Sequence, residues 1–333
     1  MVAALLAFNL SPWPGALLIR HVFEDGADNV REQMEKHAPD GVASILNEQY
    51  RAGDEDARLD VYFPESAGQG GEALPTLVWT HGGAWLSGHK DDAAPYLMLI
   101  ASAGYTVISL DYSISPEHQY PRPVHQINDA LAFIQQQAGR YHADPTRIVM
   151  AGDSAGAQLT SQVAAMITNP AFANELGITP AIAPEQLRGV ILYCGIYDMG
   201  AFLDHDIGDL AADRTPMVRL LEWGTQISVW AYTGERDGDG PDLAQMSTIQ
   251  HVTGAFPPTF ISGGNGDPLT EPQSQALASV LQSNGVPVQT LFFPSDHVPS
   301  LPHEYQFNLD NADGQTAFSD MMTFLGERTG IAH

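Results

Sequence analysis

The 333-residue sequence predicts an α/β fold, with a mostly parallel central sheet flanked by helices and a helical cap. Three observations carry this expectation. Short apolar, β-branched runs alternate with longer segments of helical period between residues 75 and 293. Such alternation builds a parallel sheet covered on both faces. One strand-to-helix junction, Gly152-Asp153-Ser154-Ala155-Gly156, has the G-x-S-x-G spacing of a tight turn that exposes a serine. At another, Leu77-Val78-Trp79-Thr80 runs straight into the glycine turn His81-Gly82-Gly83-Ala84-Trp85. The length suits one large domain with inserted helices. There is no Gly/Ser/Pro-rich linker between hydrophobic halves, and no internal repeat.

Residues 1–54 read as an N-terminal cap segment ahead of a main domain over 55–333. Met1 to Phe23 is apolar but interrupted by Asn9, Pro12 and Pro14. No run there reaches the roughly 18–20 residues of a spanning helix. It has no basic n-region and no small-residue cleavage site of a secretory signal. An amphipathic cap or surface-anchoring segment is expected, with a truncated membrane anchor as the alternative. Val30, Met34, Val42, Ile45 and Leu46 recur at helical spacing over 28–51 and extend the cap. Leu59-Asp60-Val61-Tyr62-Phe63 begins the sheet, and the Gly-rich stretch 65–73 reads as a hairpin-type loop. Core strands are expected at 75–80, 105–110, 147–151, 188–194, 258–262 and 287–293. Helices are expected at 91–103, 124–139, 155–168 and 271–284. The stretch 198–250 is far longer than a βα connection needs and reads as a cap insertion. Its Met217, Leu220, Leu221, Trp223, Trp230 and Tyr232 suit a buried helical face, a lid lining an apolar pocket, or both.

Composition narrows the partners. The formal charge is −26, with Lys36 and Lys90 the only lysines against 40 acidic residues. That argues against nucleic-acid binding, which needs a basic patch, and disfavours docking on anionic membranes. High surface charge serves solubility, and salt-adapted proteins use it to stay dispersed. The single cysteine, Cys194, ends the apolar run Gly189-Val190-Ile191-Leu192-Tyr193. It cannot form an internal disulfide and reads as a buried, inert thiol. A reducing, cytoplasmic location fits this usage. The oligomeric state is left open, a homodimer included.

The two junctions carry the chemistry. Arg147-Ile148-Val149-Met150-Ala151 reads as the strand before Ser154, and Ala157 to Ile167 as the helix after it. Small flanking residues let strand and helix pass closely around a strained serine. The glycine turn after Thr80 offers unblocked N–H groups for the negative oxygen of a tetrahedral intermediate. Losing one such donor typically costs about 2.7–4 kcal/mol of barrier. A serine hydroxyl needs a base within hydrogen-bond reach and an acid to orient that base. Where a G-x-S-x-G turn of this kind carries the nucleophile, the acid and then the histidine are expected to follow it along the chain. Asp267 closes the polar turn after the strand at Thr259-Phe260-Ile261, and Asp198 is its rival. His297 and His303 both follow the last strand, whereas His118, His125, His205 and His251 precede Asp267. Asp204-His205-Asp206 has metal-ligand residue types without a third ligand at useful spacing and reads as a solvated loop.

These motifs, in this order, resemble the hormone-sensitive-lipase-like branch of the α/β-hydrolase family. The resemblance continues through Asp111-Tyr112-Ser113-Ile114-Ser115-Pro116-Glu117-His118-Gln119-Tyr120-Pro121, close to the branch's D-Y-x-x-x-P-E-x-x-[FY]-P segment. Asp267-Pro268-Leu269 is similar to its D-P-L motif, and His303-Glu304-Tyr305 to its His-x-Phe/Tyr segment. The similarity spans residues 55–325. It implies an α/β-hydrolase fold, with 55–333 as the catalytic domain. It further implies a serine carboxylic-ester hydrolase that forms an acyl-enzyme on small or short-chain esters. Ser154 would be nucleophile, Asp267 acid and His303 base, with His297 as the alternate base. Gly83, Ala84 and Ala155 would hold the oxyanion, and no metal or organic cofactor is implied. Ala84 departs from the branch's third glycine. Its N–H remains, but its methyl group narrows the loop and counts against large or tertiary-alcohol esters. Two alternatives stay open: a carbohydrate acetyl- or feruloyl-type esterase, and a non-catalytic small-molecule receptor.

Overall fold

Among the described residues, eight strands form one sheet: β1 (Val42–Gln49), β2 (Arg58–Pro64), β3 (Leu74–Thr80), β4 (Thr106–Leu110), β5 (Ala143–Asp153), β6 (Leu187–Tyr193), β7 (Thr259–Gly263) and β8 (Val288–Phe292). They lie in the order β1-β2-β4-β3-β5-β6-β7-β8. β1 and β2 are antiparallel to their neighbours, and the pairs from β4 to β8 are parallel. The computed structural model describes residues 8–69, 72–203, 216–236 and 240–331, with only the backbone of 69 and 216–221. Asp204-His205-Asp206 and the side chains of Met217, Leu220 and Leu221 lie outside the described residues.

The described helices are α1 (Trp13–Glu35), α2 (Ala94–Ser102), α3 (Arg122–Gln137), α4 (Ser154–Thr168), α5 (Pro170–Leu176), α6 (Met199–Leu203), α7 (Pro216–Thr233), α8 (Pro241–Met246), α9 (Ala276–Ser283) and α10 (Ala312–Thr329). The period-2 geometry of a strand divides the core between the two faces of the sheet. Val78, Ile108, Met150 and Val190 pack with Ile127, Leu131, Leu159 and Val163 of α3 and α4. Leu77, Trp79, Val107, Val149 and Ile191 pack on the other face with Tyr96 and Leu97 of α2 and Met321 and Phe324 of α10. Every residue of α4 is buried. That helix therefore has no solvent face to satisfy its polar side chains, and they bond inside: Gln158 to the Met246 carbonyl, Gln162 to Tyr120, and Ser161 to Thr248.

The six core strands expected from the sequence are β3 to β8, and the expected helices are α2, α3, α4 and α9. The last begins as a π-helical turn at Thr270–Gln275. Two expectations are corrected. The helical pattern over 28–51 ends at Glu35, and Val42–Gln49 is an edge strand with Ala43 opposite Phe63 and Ile45 opposite Val61. Pairing with β2 decides the conformation there, and Leu46, counted in the helical pattern, stays 53% exposed. The stretch 65–73 is not a hairpin loop, because β4 lies between β2 and β3.

Of the apolar N-terminal segment, residues 1–7 lie outside the described residues, and the part from Trp13 on belongs to α1, which packs on α7. Gly15 lies so close to α7 that an added Cβ would stand 3.0 Å from Ile227 and 3.1 Å from Trp223. Ala16 is buried with Leu86, Ile227 and Ala231. Among the described residues no helix is long and apolar enough to cross a membrane.

Candidate active site

The turn between β5 and α4 places Ser154 at the first helical position with φ +50°. A non-glycine residue is strained in this left-handed region and persists only where the surroundings fix it. Here the glycines fix it by allowing close approach. A Cβ on Gly156 would collide with the carbonyl oxygens of Thr80 and His81, and one on Gly152 would stand 2.6 Å from the Gly156 carbonyl. The turn also ties to β3 through Asp153. Its carboxylate accepts from Trp79 Nε1 at 3.1 Å and from the Gly82 N–H at 2.9 Å. Burial, with the nearby Glu304 charge, pushes the Asp153 carboxyl well above the usual range.

The glycine loop after β3 has three successive left-handed residues, Gly83 (φ +102°), Ala84 (φ +52°) and Trp85 (φ +62°). The Leu86 and Ser87 N–H groups close it by donating to the Gly83 carbonyl, both at 3.0 Å. Among the described residues, the N–H groups of Gly83, Ala84 and Ala155 donate to no protein acceptor. The Ala155 N–H belongs to the first turn of α4, where a helix leaves its donors unpaired. His81 braces the loop from beneath. Its Nδ1 lies 2.8 Å from the Gly82 carbonyl, and its ring stacks on Tyr112 with centroids 4.3 Å apart. Burial lowers its pKa to about 4, so it is neutral at physiological pH. The Tyr112 hydroxyl donates to the His81 carbonyl at 2.9 Å, which gives part of the Asp111–Pro121 segment a function in supporting this loop.

Asp267 and His303 come from the two loops after β7 and β8. His303 Nε2 lies 3.0 Å from Ser154 Oγ, and His303 Nδ1 lies 2.8 Å from Asp267 Oδ2. Asp267 Oδ1 accepts the Leu269 N–H at 2.9 Å. The two loops are stitched together by Asn265, whose amide donates to the His297 carbonyl at 3.0 Å and whose Oδ1 accepts the Leu301 N–H at 2.9 Å. The Gly266 N–H donates to the Leu301 carbonyl at 2.9 Å. Tyr305 fixes the histidine loop by a 2.9 Å bond to Ser262 and an edge contact with Phe293.

The rival residues lie elsewhere. His297 Nε2 faces Asp313 at 3.1 Å, and its ring sits beside Phe293. Asp198 accepts the Ala201 N–H at 3.1 Å and so caps α6. Two neighbours were not foreseen. Glu304, itself at φ +59°, brings a carboxylate oxygen within 3.7 Å of His303 Nε2. Cys194 follows β6 at φ +43°, and its Sγ lies within 4.8 Å of ligand atoms of both Asp267 and His303. It is buried as expected, but beside the site. Burial opposes charge on the His303 imidazole. The Asp267 carboxylate, hydrogen-bonded to Nδ1, works against burial and raises its pKa above the ordinary histidine value. Burial pushes the Cys194 thiol up to about 11, so it is protonated at neutral pH and the charge on the imidazole is held by Asp267.

Residues 77–303 match the family model for the alpha/beta hydrolase fold. Esterase B from Lactobacillus rhamnosis superposes with a TM-score of 0.76 at 21% identity, covering 95% of this chain and 97% of that one. A second structure of that enzyme is described as tributyrin phosphonate inhibited. An esterase from Pyrobaculum calidifontis gives 0.70 at 22% identity, over 95% and 94% of the two chains. A bacterial heroin esterase gives 0.69 at 21% identity, over 93% and 90%. At these identities the likeness establishes the fold. The family match contains the glycine loop, the serine turn, Asp267 and His303, the motifs on which the resemblance to the hormone-sensitive-lipase-like branch rests.

Proposed function

The chain belongs to the α/β-hydrolase fold family, and we propose that it is a serine carboxylic-ester hydrolase that works through an acyl-enzyme on small or short-chain esters. The observation that carries this proposal is the continuous chain from Asp267 to His303 to Ser154, with links of 2.8 and 3.0 Å. Ser154 Oγ attacks the ester carbonyl carbon while His303 Nε2 takes its proton. Asp267 holds the Nδ1–H tautomer and stabilises the imidazolium that forms. The N–H groups of Gly83, Ala84 and Ala155 receive the developing oxyanion. His303 returns the proton to the departing alcohol, and the carbonyl re-forms as the acyl-enzyme. A water then loses a proton to the same Nε2 and attacks the acyl carbon. Ser154 leaves with that proton, and the acid is released.

The preference for small or short-chain esters has two supports. On the alcohol side, Ala84 in place of a third glycine counts against large or tertiary alcohols. The structurally similar esterase B has been captured with a tributyrin phosphonate, an analogue of a short-chain ester. We read α1 and α7 as the two parts of a cap. Trp85 of the glycine loop stacks on Tyr232 of α7 with ring centroids 5.1 Å apart, and α1 packs on that helix. A carbohydrate-linked acetyl or feruloyl ester would be distinguished by the alcohol and acyl groups it tolerates. A panel of p-nitrophenyl esters, run beside the Ser154→Ala variant, tests the proposal. Turnover highest at two to six acyl carbons and absent in the variant supports it. No turnover of any ester returns the protein to the receptor class.

A further inference from the structure

The Asp111–Pro121 segment contains two acidic residues that the acyl-transfer chemistry does not use; Asp111 accepts the Lys90 N–H, and the other is Glu117. Its partner is Arg20 on α1. The Arg20 side chain is 16% exposed and makes four hydrogen bonds. Nε donates to the Leu86 carbonyl at 2.6 Å, and one terminal nitrogen donates to the Ser115 carbonyl at 2.7 Å. The two terminal nitrogens grip Glu117 in bidentate fashion at 2.9 and 2.5 Å. The Arg20 guanidinium in turn holds the Glu117 carboxyl below its usual range. The Ser115 N–H donates to the Trp85 carbonyl at 2.8 Å, which links the glycine loop to the same segment.

These contacts meet at the outer end of the glycine loop. The Leu86 N–H closes the turn onto Gly83, and the Leu86 carbonyl is taken by Arg20. The left-handed run Gly83-Ala84-Trp85 includes two residues with side chains, a conformation that needs outside restraint. A planar guanidinium meets two carbonyls and a carboxylate at fixed angles, which an ammonium group cannot reproduce. We propose that Arg20 is a positioning residue: from the N-terminal helix it fixes the loop that carries the Gly83 and Ala84 donors. It follows that α1 acts on the rate of the chemical step as well as on access to the pocket. The inference rests on Gly83 and Ala84 being the oxyanion donors of the proposed esterase.

The test uses the full chain and p-nitrophenyl butyrate, with active sites counted by a phosphonate probe. Arg20→Ala should lower kcat roughly 10- to 100-fold, the scale of an ångström-size misplacement. KM should change little. Affinity for an alkyl trifluoromethyl ketone, which forms a tetrahedral adduct on Ser154, should fall in proportion to kcat. Affinity for butyrate should not fall. Methylguanidinium at low millimolar concentration should restore part of the lost kcat, and Arg20→Lys should retain most of the defect. If Arg20→Ala fails to fold, Glu117→Gln keeps both carbonyl bonds and should show a smaller loss of kcat and ketone affinity in the same ratio. Unchanged kcat and ketone affinity, with only a lower Tm or a higher KM, would overturn the inference and leave Arg20 as a tether of the cap. Wild-type protein without ester turnover would instead overturn the proposed function.

Discussion

The Asp267 carboxylate is shared between two partners: one oxygen lies 2.8 Å from His303 Nδ1, and the other accepts the Leu269 N–H at 2.9 Å. With 1% of its side chain exposed, Asp267 cannot turn to water, and its charge is directed onto the imidazole. That relationship sets the proton chemistry of the site.

The first prediction concerns pH. Only neutral His303 can accept the serine proton, and the Asp267 carboxylate at its Nδ1 raises its pKa above 6.5. Therefore kcat/KM should rise with pH along an acid limb centred above about 6.5. A pKa raised in the folded state also adds stability, fully present below about 6.5, the unfolded value, and lost as pH rises through the folded value. Asp267→Asn should move the acid limb down and reduce kcat by about 10⁴-fold, since the tautomer is lost. A wild-type acid limb at or below the ordinary histidine value contradicts the geometry of this pair.

The two histidines should separate in kinetics. His303→Ala should cost orders of magnitude in kcat. His297→Ala removes a contact with Asp313 and should change kcat by less than about tenfold, acting through the loop alone. Equal losses would mean that the His297 loop takes part directly.

Asn265 holds the acid loop to the histidine loop by two hydrogen bonds. Asn265→Ala should lower stability by about 1–3 kcal/mol, from the loss of two half-buried hydrogen bonds worth about 0.5–1.5 kcal/mol each. It should also lower kcat, because His303 loses its register with Ser154. Thermal unfolding and steady-state kinetics on the same preparation check both effects. A stable variant with full activity contradicts the role assigned to Asn265.

Gly156→Ala should be among the most damaging single changes outside the triad. Its Cβ would meet the Thr80 and His81 carbonyls, so α4 must shift away from β3. Overpacking of this kind costs about 1–3 kcal/mol, and Ser154 would move with the helix. A variant with unchanged Tm and kcat would show that the turn has slack that the structure does not reveal.

Much of the core was legible because buried parallel strands read as uninterrupted apolar runs, as in Leu77-Val78-Trp79 and Ile148-Val149-Met150. Ser154 could be singled out because its turn is a local motif, whereas chain order left Asp198 beside Asp267 and His297 beside His303, and only the resemblance of Asp267-Pro268-Leu269 and His303-Glu304-Tyr305 separated them. Val42–Gln49 was misread because an edge strand takes its shape from its partner β2, and its apolar residues follow a helical spacing by chance. Cys194 read as inert because its burial is a local property and its nearness to His303 is not. Asn265 carried a weak signal, a polar residue among glycines just before the acid, but its partners lie more than thirty residues further on. Arg20 carried none: its partners lie 66, 95 and 97 residues away.

The most direct test of the central claim is the mass of the protein after reaction with a short-chain alkyl phosphonate. One label per chain is predicted, on the peptide containing Ser154. Labelling should be lost in Ser154→Ala, slowed by orders of magnitude in His303→Ala, and nearly unchanged in His297→Ala. Activity should disappear in step with labelling, and EDTA should leave both unaffected. Inactivation with the label on another residue, or loss of esterase activity on chelation, would contradict the account.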